Sequence, residues 1–178
     1  MNAFWSNGYR GTSLADLLDA TGLSRGSLYA AFGDKRGIFL LALDRYIDDA
    51  LARFDRELAP GRSAIDGLRD CLTGYIDRMA GAAGRRGCLV VATAMELASQ
   101  DAEVEARLGR FFASAQGKLA QAASRAAVEQ GVSDAIDPES AARILLSTVE
   151  GVRVIAKTGI DRRVWQETID RLLTRLLT

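Results

Sequence analysis

The chain has 178 residues, enough for one domain or for a small domain joined to a larger one. Hydrophobic residues make up 48% of it and prolines number only two, which favours an all-α protein over a sandwich or barrel. The charge is balanced, with 23 Lys+Arg against 23 Asp+Glu, so no basic excess points to nucleic acid. Histidine is absent, which removes the commonest general base and the commonest zinc ligand.

The two cysteines, Cys71 and Cys88, have neither a metal-type nor a redox-motif spacing, and a reducing cytoplasmic compartment fits them best. No apolar run approaches the roughly 18 residues needed to span a bilayer, and no signal-peptide pattern occurs. The sequence therefore predicts a cytoplasmic protein with no membrane partner, no metal site and no cofactor.

Capping residues and glycines divide the first third of the chain into short helices. Residues 1–9 resemble the end of a helix that Gly8 stops in a left-handed conformation, and we expect the front of that helix to precede residue 1. Thr12 or Ser13 begins the next helix, which Gly22 ends. Ser24 then caps a third helix that stops at Gly33, and Asp34 caps a long helix over about 35–58.

Residues 59–63 break the chain, and the helical hydrophobic period resumes beyond them. It predicts further helices over 63–81, 88–99, 101–130, 138–157 and 161–177, with loops at 81–87 and before Pro138. The 88–99 segment is apolar nearly all round, which is expected of a helix in the middle of a core.

The two short helices around Gly22 predict a helix-turn-helix, although Leu18 stands where that motif usually has alanine. An ordinary corner between two core helices is the alternative. The outer face of the second helix favours the first interpretation, because its residues are small or can hydrogen-bond: Arg25, Gly26, Ser27, Tyr29 and Ala30. Arginine can contact guanine or a phosphate. Helix N-termini, here with Thr12, Ser13 and Lys35, bind phosphate oxygens.

Residues 3–46 resemble the DNA-binding domain of the TetR/AcrR family of bacterial transcriptional regulators. The resemblance is carried by Gly8-Tyr9, Thr12-Ser13, Gly22-Leu23-Ser24, Leu28-Tyr29, Phe32 and Lys35. It implies a helix-turn-helix DNA-binding domain over residues 1–46, with 24–31 as recognition helix. It also implies an effector-binding and dimerisation domain over 47–178, and a basic arm before the first helix.

The resemblance also assigns DNA contacts. The positions that match the family's contacts are Thr12, Arg25, Ser27, Tyr29 and Lys35, of which Tyr29 and Lys35 would touch phosphates. Ala30 stands where the family often has a histidine or another polar group, so one contact is missing here.

In such proteins the last two helices pair with those of a second subunit in a four-helix interface. The apolar residues at helical spacing on these two helices are Ile144, Leu145, Val149, Val152, Val164, Ile169, Leu172, Leu173 and Leu176. We expect them to form a homodimer interface, because a helix-turn-helix of this type binds two half-sites. The alternative is that they are core residues of one subunit.

An effector pocket is expected between the helices of the second domain, since such pockets are mostly apolar with a few polar anchors. Its candidate lining residues are Tyr75, Met79, Met95, Phe111, Phe112, Gln116 and Arg153. Cys88 follows Arg85 and Arg86 at a helix N-terminus, where both features favour a thiolate, and the surrounding segment resembles that of some redox-responsive family members. The alternative for Cys88 is an inert buried thiol, and Cys71 is expected to be core.

Taken together, the sequence predicts a ligand-responsive repressor that binds a palindromic operator as a homodimer and is released by an unknown small molecule. A thiol-based regulator acting through Cys88 is one alternative, and a helical ligand-binding protein without DNA function is another. An enzyme is not expected, because the sequence contains no P-loop and no convergent pair of carboxylates.

Overall fold

The computed structural model describes residues 1–79, 84, 86–132 and 137–177. Within these residues the chain forms nine α-helices and one short 3-10 turn, and no strand occurs among them. The helices are α1 (Asn2–Gly11), α2 (Leu14–Thr21), α3 (Arg25–Phe32), α4 (Lys35–Glu57), α5 (Ala64–Met79), α6 (Leu89–Leu97), α7 (Ala102–Gln130), α8 (Pro138–Ile155) and α9 (Arg162–Leu177). The all-α prediction is confirmed. Residues 80–83, 85 and 133–136, which include much of the two predicted loops, lie outside the described residues.

Residues 1–49 and 88–110 form one compact unit, and residues 50–87 and 111–178 form a second. The core of the first unit is aromatic and aliphatic. Phe4 is fully buried and meets Phe39 edge to face, with 5.2 Å between the ring centroids. Leu28 is also fully buried and Leu17 is 3% exposed, so each helix of the helix-turn-helix contributes one apolar anchor.

The first unit extends beyond the boundary predicted at residue 46, because polar contacts tie α6 and the start of α7 to the N-terminal helices. Arg36 at the start of α4 forms ion pairs with Asp101 at 3.0 Å and Glu103 at 2.7 Å. The Arg36 guanidinium holds the pKa of Asp101 below its usual range. Arg107 on α7 pairs with Asp44 at 2.8 Å. Residues 88–110 therefore belong to the same compact unit as the predicted DNA-binding domain.

The second unit has its own hydrophobic core, in which α5 contacts both α8 and α9. Fully buried side chains on α5 include Leu68, Leu72 and Ile76, and Cys71 is buried beside them as predicted. Burial raises the pKa of the Cys71 thiol, which therefore stays protonated at neutral pH. Among the described residues, no helix combines the length and the apolar character that crossing a membrane requires.

Most of the side chains predicted for a dimer interface pack inside this core instead. Leu145, Val149, Val152, Ile169 and Leu173 are at most 2% exposed. Leu172 and Leu176 are partly buried against the same core. The five buried side chains are the inward faces of α8 and α9, so core packing accounts for them. A dimer contact for the partly buried Leu172 and Leu176 stays a prediction. Ile144 and Val164 remain exposed, at 38% and 55%.

Candidate nucleic-acid interface

Reciprocal hydrogen bonds fix the start of α2. The Asp16 backbone N–H donates to Ser13 Oγ at 3.1 Å, and the Ser13 N–H donates to Asp16 Oδ2 at 2.7 Å. Two N–H groups that would otherwise lack a helical partner are satisfied in this way. The bond from the Ser13 N–H, together with that from its hydroxyl, lowers the pKa of the Asp16 carboxyl. At the other end, Gly22 adopts φ 66° and ψ 12°, the left-handed conformation that lets the chain turn into α3.

The predicted recognition helix, α3, is capped at its N-terminus and anchored to the core by one side chain. The Ser27 N–H donates to Ser24 Oγ at 3.2 Å, and the two serine hydroxyls lie 2.9 Å apart. Leu28 holds the helix to the core, whereas Arg25, Gly26 and Ser27 are exposed. A short helix with one buried residue and small exposed neighbours can enter the major groove of DNA without steric hindrance.

Arg25 and Tyr29 form a polar edge on α3. The Arg25 guanidinium carbon lies 5.6 Å from the centroid of the Tyr29 ring, which is half-buried. An arginine above an aromatic ring loses part of its freedom while its N–H donors stay in solvent. The pair can therefore present a guanidinium and a phenol to the same stretch of a nucleic-acid backbone or base edge. Ala30 is exposed beside them and supplies no hydrogen-bonding group.

Lys35, the first residue of α4, lies close to the end of α1. Its Nζ is 3.5 Å from the Arg10 carbonyl oxygen and 4.7 Å from the centroid of the Tyr9 ring. Asp34 just before it accepts a hydrogen bond from the Gly37 N–H at 2.7 Å. An ammonium group next to a helix N-terminus suits a phosphate oxygen, because the helix dipole and the point charge act in the same direction.

Thr12 differs from the expectation that its hydroxyl is available to DNA. The residue is fully buried, and its hydroxyl donates to the Gly8 carbonyl at 2.6 Å. The Ala3 carbonyl lies 3.3 Å from the same hydroxyl. Thr12 therefore secures the end of α1 inside the protein. Ser13 is exposed, but its hydroxyl donates to Asp16 at 2.7 Å in the cap of α2.

Glu96 on α6 was not predicted to contribute to this region, yet it secures the end of α1. Gly8 has φ 73°, which interrupts α1 and leaves the next two N–H groups without their usual partners. Glu96 accepts from the Tyr9 N–H at 2.8 Å and from the Arg10 N–H at 2.7 Å. The φ of 73° is one that residues other than glycine rarely adopt, and a Cβ on Gly8 would also lie 2.8 Å from Glu96 Oε2, so glycine fits this position best. The sequence signal for this contact was Gly8, because a glycine that interrupts a helix leaves the following N–H groups in need of another acceptor.

The predicted effector residues do not form one group. Tyr75, Met79, Phe111 and Arg153 are buried in the second unit, at most 6% exposed. Phe112 is partly buried there, and the Gln116 amide donates to Glu139 at 3.0 Å. Met95 is 86% exposed and belongs to the first unit. It does not line an enclosed pocket, and the prediction that α6 is buried on all sides is wrong, because one side of this helix faces solvent.

Cys88 immediately precedes α6 and is 3% exposed. The Tyr46 hydroxyl donates to its sulfur at 3.5 Å. Arg85, one of the two arginines expected to activate the thiol, lies outside the described residues. A buried thiol of this kind does not have the solvent access that a reactive cysteine needs, so the geometry favours the inert alternative.

Comparison with known proteins agrees with this geometry. Residues 1–42 match the family described as bacterial regulatory proteins, tetR family. Residues 64–172 match the tetracyclin repressor-like C-terminal domain. The chain is 30% identical over 182 residues to the uncharacterized HTH-type transcriptional regulator YezE of Bacillus subtilis (strain 168), covering 99% of this chain and 91% of that protein.

Two characterised proteins are also similar. The HTH-type transcriptional repressor ComR of Escherichia coli (strain K12) is 28% identical over 160 residues, which cover 89% of this chain and 76% of ComR. The TetR family transcriptional regulator CifR, solved as a cysteine mutant with 26-bp double-strand operator DNA, is 28% identical with a TM-score of 0.82. That match covers 97% of this chain and 90% of CifR. The chain is thus a member of the TetR family of bacterial transcriptional regulators, a DNA-binding protein rather than an enzyme.

Proposed function

We propose that this regulator is a repressor, that it binds a palindromic operator as a homodimer, and that a small molecule bound in the second unit releases it. The observation that carries the proposal is the exposed face of α3, where Arg25 and Ser27 flank the small Gly26 above a buried Leu28 anchor. The repressor ComR and the operator-bound CifR support it by similarities that cover 89% and 97% of this chain.

A homodimer is supported by the outer faces of α8 and α9. Ile144, Val154 and Ile155 on α8 are 38–54% exposed, and Val164 on α9 is 55% exposed. Gly151 lies on the same side of α8, and a Cβ built there meets nothing within 4 Å. Exposed aliphatic side chains beside a glycine allow a second helix to approach closely. We infer that this outer stripe, rather than the inward residues named from the sequence, contacts the second subunit.

The direct test is an electrophoretic mobility-shift experiment with operator fragments selected from random DNA by the protein. A sequence-specific complex with two protein chains on a two-fold symmetric site is expected. Binding without any sequence preference would contradict the proposal. It would favour the alternative of a helical ligand-binding protein without operator function.

Replacing Lys35 by alanine should weaken binding to every DNA sequence alike. Each phosphate contact contributes about one counterion to the salt dependence, so the slope of log affinity against log salt should fall by roughly one. Arg45→Ala is a matched control, because Arg45 is on the same helix, its side chain is 73% exposed, and it pairs only with Asp49 among the described contacts. Equal slopes for the two variants would mean that Lys35 does not contact phosphate.

Replacing Arg25 by alanine should instead change sequence preference. A bidentate contact between arginine and guanine discriminates by about 1–3 kcal/mol, so one base pair in each half-site should become degenerate. Selection of binding sites from random DNA by the variant measures this effect. If the base preferences stay intact and only the salt slope falls, Arg25 is a phosphate contact.

A further inference from the structure

The second unit contains a group of polar side chains around the buried Tyr75, which we call the Tyr75 cluster. Its members come from α4, α5 and α8: Arg53, Glu57, Cys71, Tyr75, Arg78, Glu150 and Arg153. Tyr75 is 2% exposed and Arg153 is 5% exposed. Arginine is rarely buried to this extent unless it serves a partner. The cluster therefore has a buried part, with Tyr75 and Arg153, and a part open to solvent, where the Arg78 side chain is 40% exposed.

Two guanidinium groups lie against the Tyr75 ring. The guanidinium carbon of Arg153 is 4.4 Å from the ring centroid, and that of Arg78 is 4.6 Å from it. Arg153 also binds both oxygens of Glu150, at 2.9 and 3.0 Å. A Cβ on Gly74 would lie 3.2 Å from Arg78 Nη1, so the absence of a side chain there gives the guanidinium its space.

Three atoms of the cluster lack hydrogen-bond partners. In the described part of the chain, Arg53 Nε, Glu57 Oε2 and the Tyr75 hydroxyl are buried with none. Buried polar atoms are nearly always hydrogen-bonded, because leaving one unpaired costs stability. Two of these atoms are donors and one is an acceptor. Three such atoms in one cluster indicate that it is built to receive another molecule.

The charges of the cluster indicate which kind of molecule. Among the described residues of the cluster, three arginines face two carboxylates, which is an excess of one positive charge. Burial raises the pKa of Tyr75, which keeps its hydroxyl protonated and able to donate. Burial also raises the pKa of the Cys71 thiol, which therefore adds no negative charge. A partly buried excess of positive charge is stabilised by an anion that accepts hydrogen bonds.

We propose that the Tyr75 cluster binds a small organic acid, whose carboxylate accepts from Arg53 and Tyr75 and whose own hydrogen-bond donor reaches Glu57. The ring of Phe54, 5.6 Å from that of Tyr75, supplies an apolar surface for the rest of the molecule. This inference rests on the proposed function, since it gives the chemical class of the releasing effector.

Calorimetric titration of the full chain with paired probes tests the inference. The probes are acetate, butyrate, benzoate and 3-hydroxybenzoate, each compared with its neutral amide. We expect at least one carboxylate to bind about tenfold more tightly than its amide, the loss expected when a charged hydrogen bond is removed. If no carboxylate binds more tightly than its amide, the inference is overturned.

Arg53→Gln should reduce the affinity for that carboxylate about tenfold. Arg56→Gln is the matched control, because Arg56 is exposed three residues further along the same helix. Equal affinities for the two variants would place the acid elsewhere and overturn the assignment.

Tyr75→Phe separates ligand binding from folding. It removes only a hydroxyl that is unpartnered among the described residues, so the melting temperature without ligand should not fall, while carboxylate affinity should fall several-fold. A lower melting temperature with unchanged carboxylate affinity would mean that the hydroxyl binds an internal water that stabilises the fold. It would then not bind the carboxylate, and the assignment of Tyr75 would be wrong.

Operator binding, measured on the same preparations, distinguishes this inference from the proposed function. If the protein binds operator DNA and no carboxylate, the inference fails and the repressor remains. If a carboxylate binds the cluster without releasing DNA, the cluster stands as a site and the effector role fails.

Discussion

Replacing Leu28 by alanine is expected to remove specific operator binding and to destabilise the first unit by about 2–5 kcal/mol, the usual range for emptying a fully buried leucine site. Leu28 is the only fully buried side chain in α3 among the described residues. A helix of eight residues has little stability of its own, so its position depends on that packing. Without it, Arg25 and Tyr29 lose the fixed geometry that their proposed DNA contacts require.

Hydrogen exchange of the α3 amides measures this effect, because it reports the local opening of one helix rather than the melting of both units. Leu41→Ala is the control, since it removes the same atoms from a leucine that is 55% exposed on α4. Protection factors in α3 should fall only for Leu28→Ala. Similar protection in both variants would show that α3 is held in place by something other than Leu28.

The helix-turn-helix was predictable because its determinants are local. The helices begin at the capping residues Ser13 and Ser24 and end at Gly22 and Gly33. Each of these residues acts through a hydrogen bond or a backbone conformation that involves only the next or previous three or four residues. Leu17 and Leu28 are the buried anchors of these two helices. The role of Thr12 was not predictable in this way. A hydroxyl between two helices can cap the following helix or donate to a carbonyl of the preceding one, and the Thr12 hydroxyl donates to the Gly8 carbonyl.

Which side of a helix is buried depends on long-range contacts, which the sequence alone does not show. The apolar residues of α8 and α9 recur with the same helical period whether they face a core or a second subunit. Leu145 and Ile169 belong to the core because α5 packs against these two helices. Likewise, Met95 lies in a segment that is apolar nearly all round, and its exposure depends on which side of α6 the other helices cover. Periodicity gives the apolar residues of a helix but not their partner.

Polar contacts across large sequence distances are the least predictable of all. The Tyr75 cluster joins residues of three helices, and nothing local in the sequence pairs Glu57 with Arg78 or Tyr75 with Arg153. Arg153 was named for the pocket as one polar residue in an apolar list. The structure adds its surroundings: the Arg153 guanidinium pairs with Glu150 and lies 4.4 Å from the centroid of the buried Tyr75 ring.

Replacing Glu96 by alanine is the second change from which we expect a large effect. It removes the acceptor from the Tyr9 and Arg10 N–H groups, 86 or more residues away in the chain. Hydrogen bonds to a charged group contribute about 1.5–3 kcal/mol each, and partial solvent exposure reduces this, so we expect a loss of about 2–3 kcal/mol in the first unit. Because α1 supplies Phe4 to the core and Tyr9 to the site beside Lys35, operator affinity should fall as well.

Hydrogen exchange at the Tyr9 and Arg10 amides reports the loss directly, and Glu96→Gln should restore part of the protection, since its amide oxygen still accepts. Glu105→Ala is the control for charge, because Glu105 is exposed near the start of α7. If the two amides exchange equally fast in wild type and in Glu96→Ala, the end of α1 does not depend on α6. If they exchange faster and operator affinity falls with them, the Glu96 carboxylate on α6 holds α1 in the position that operator binding needs.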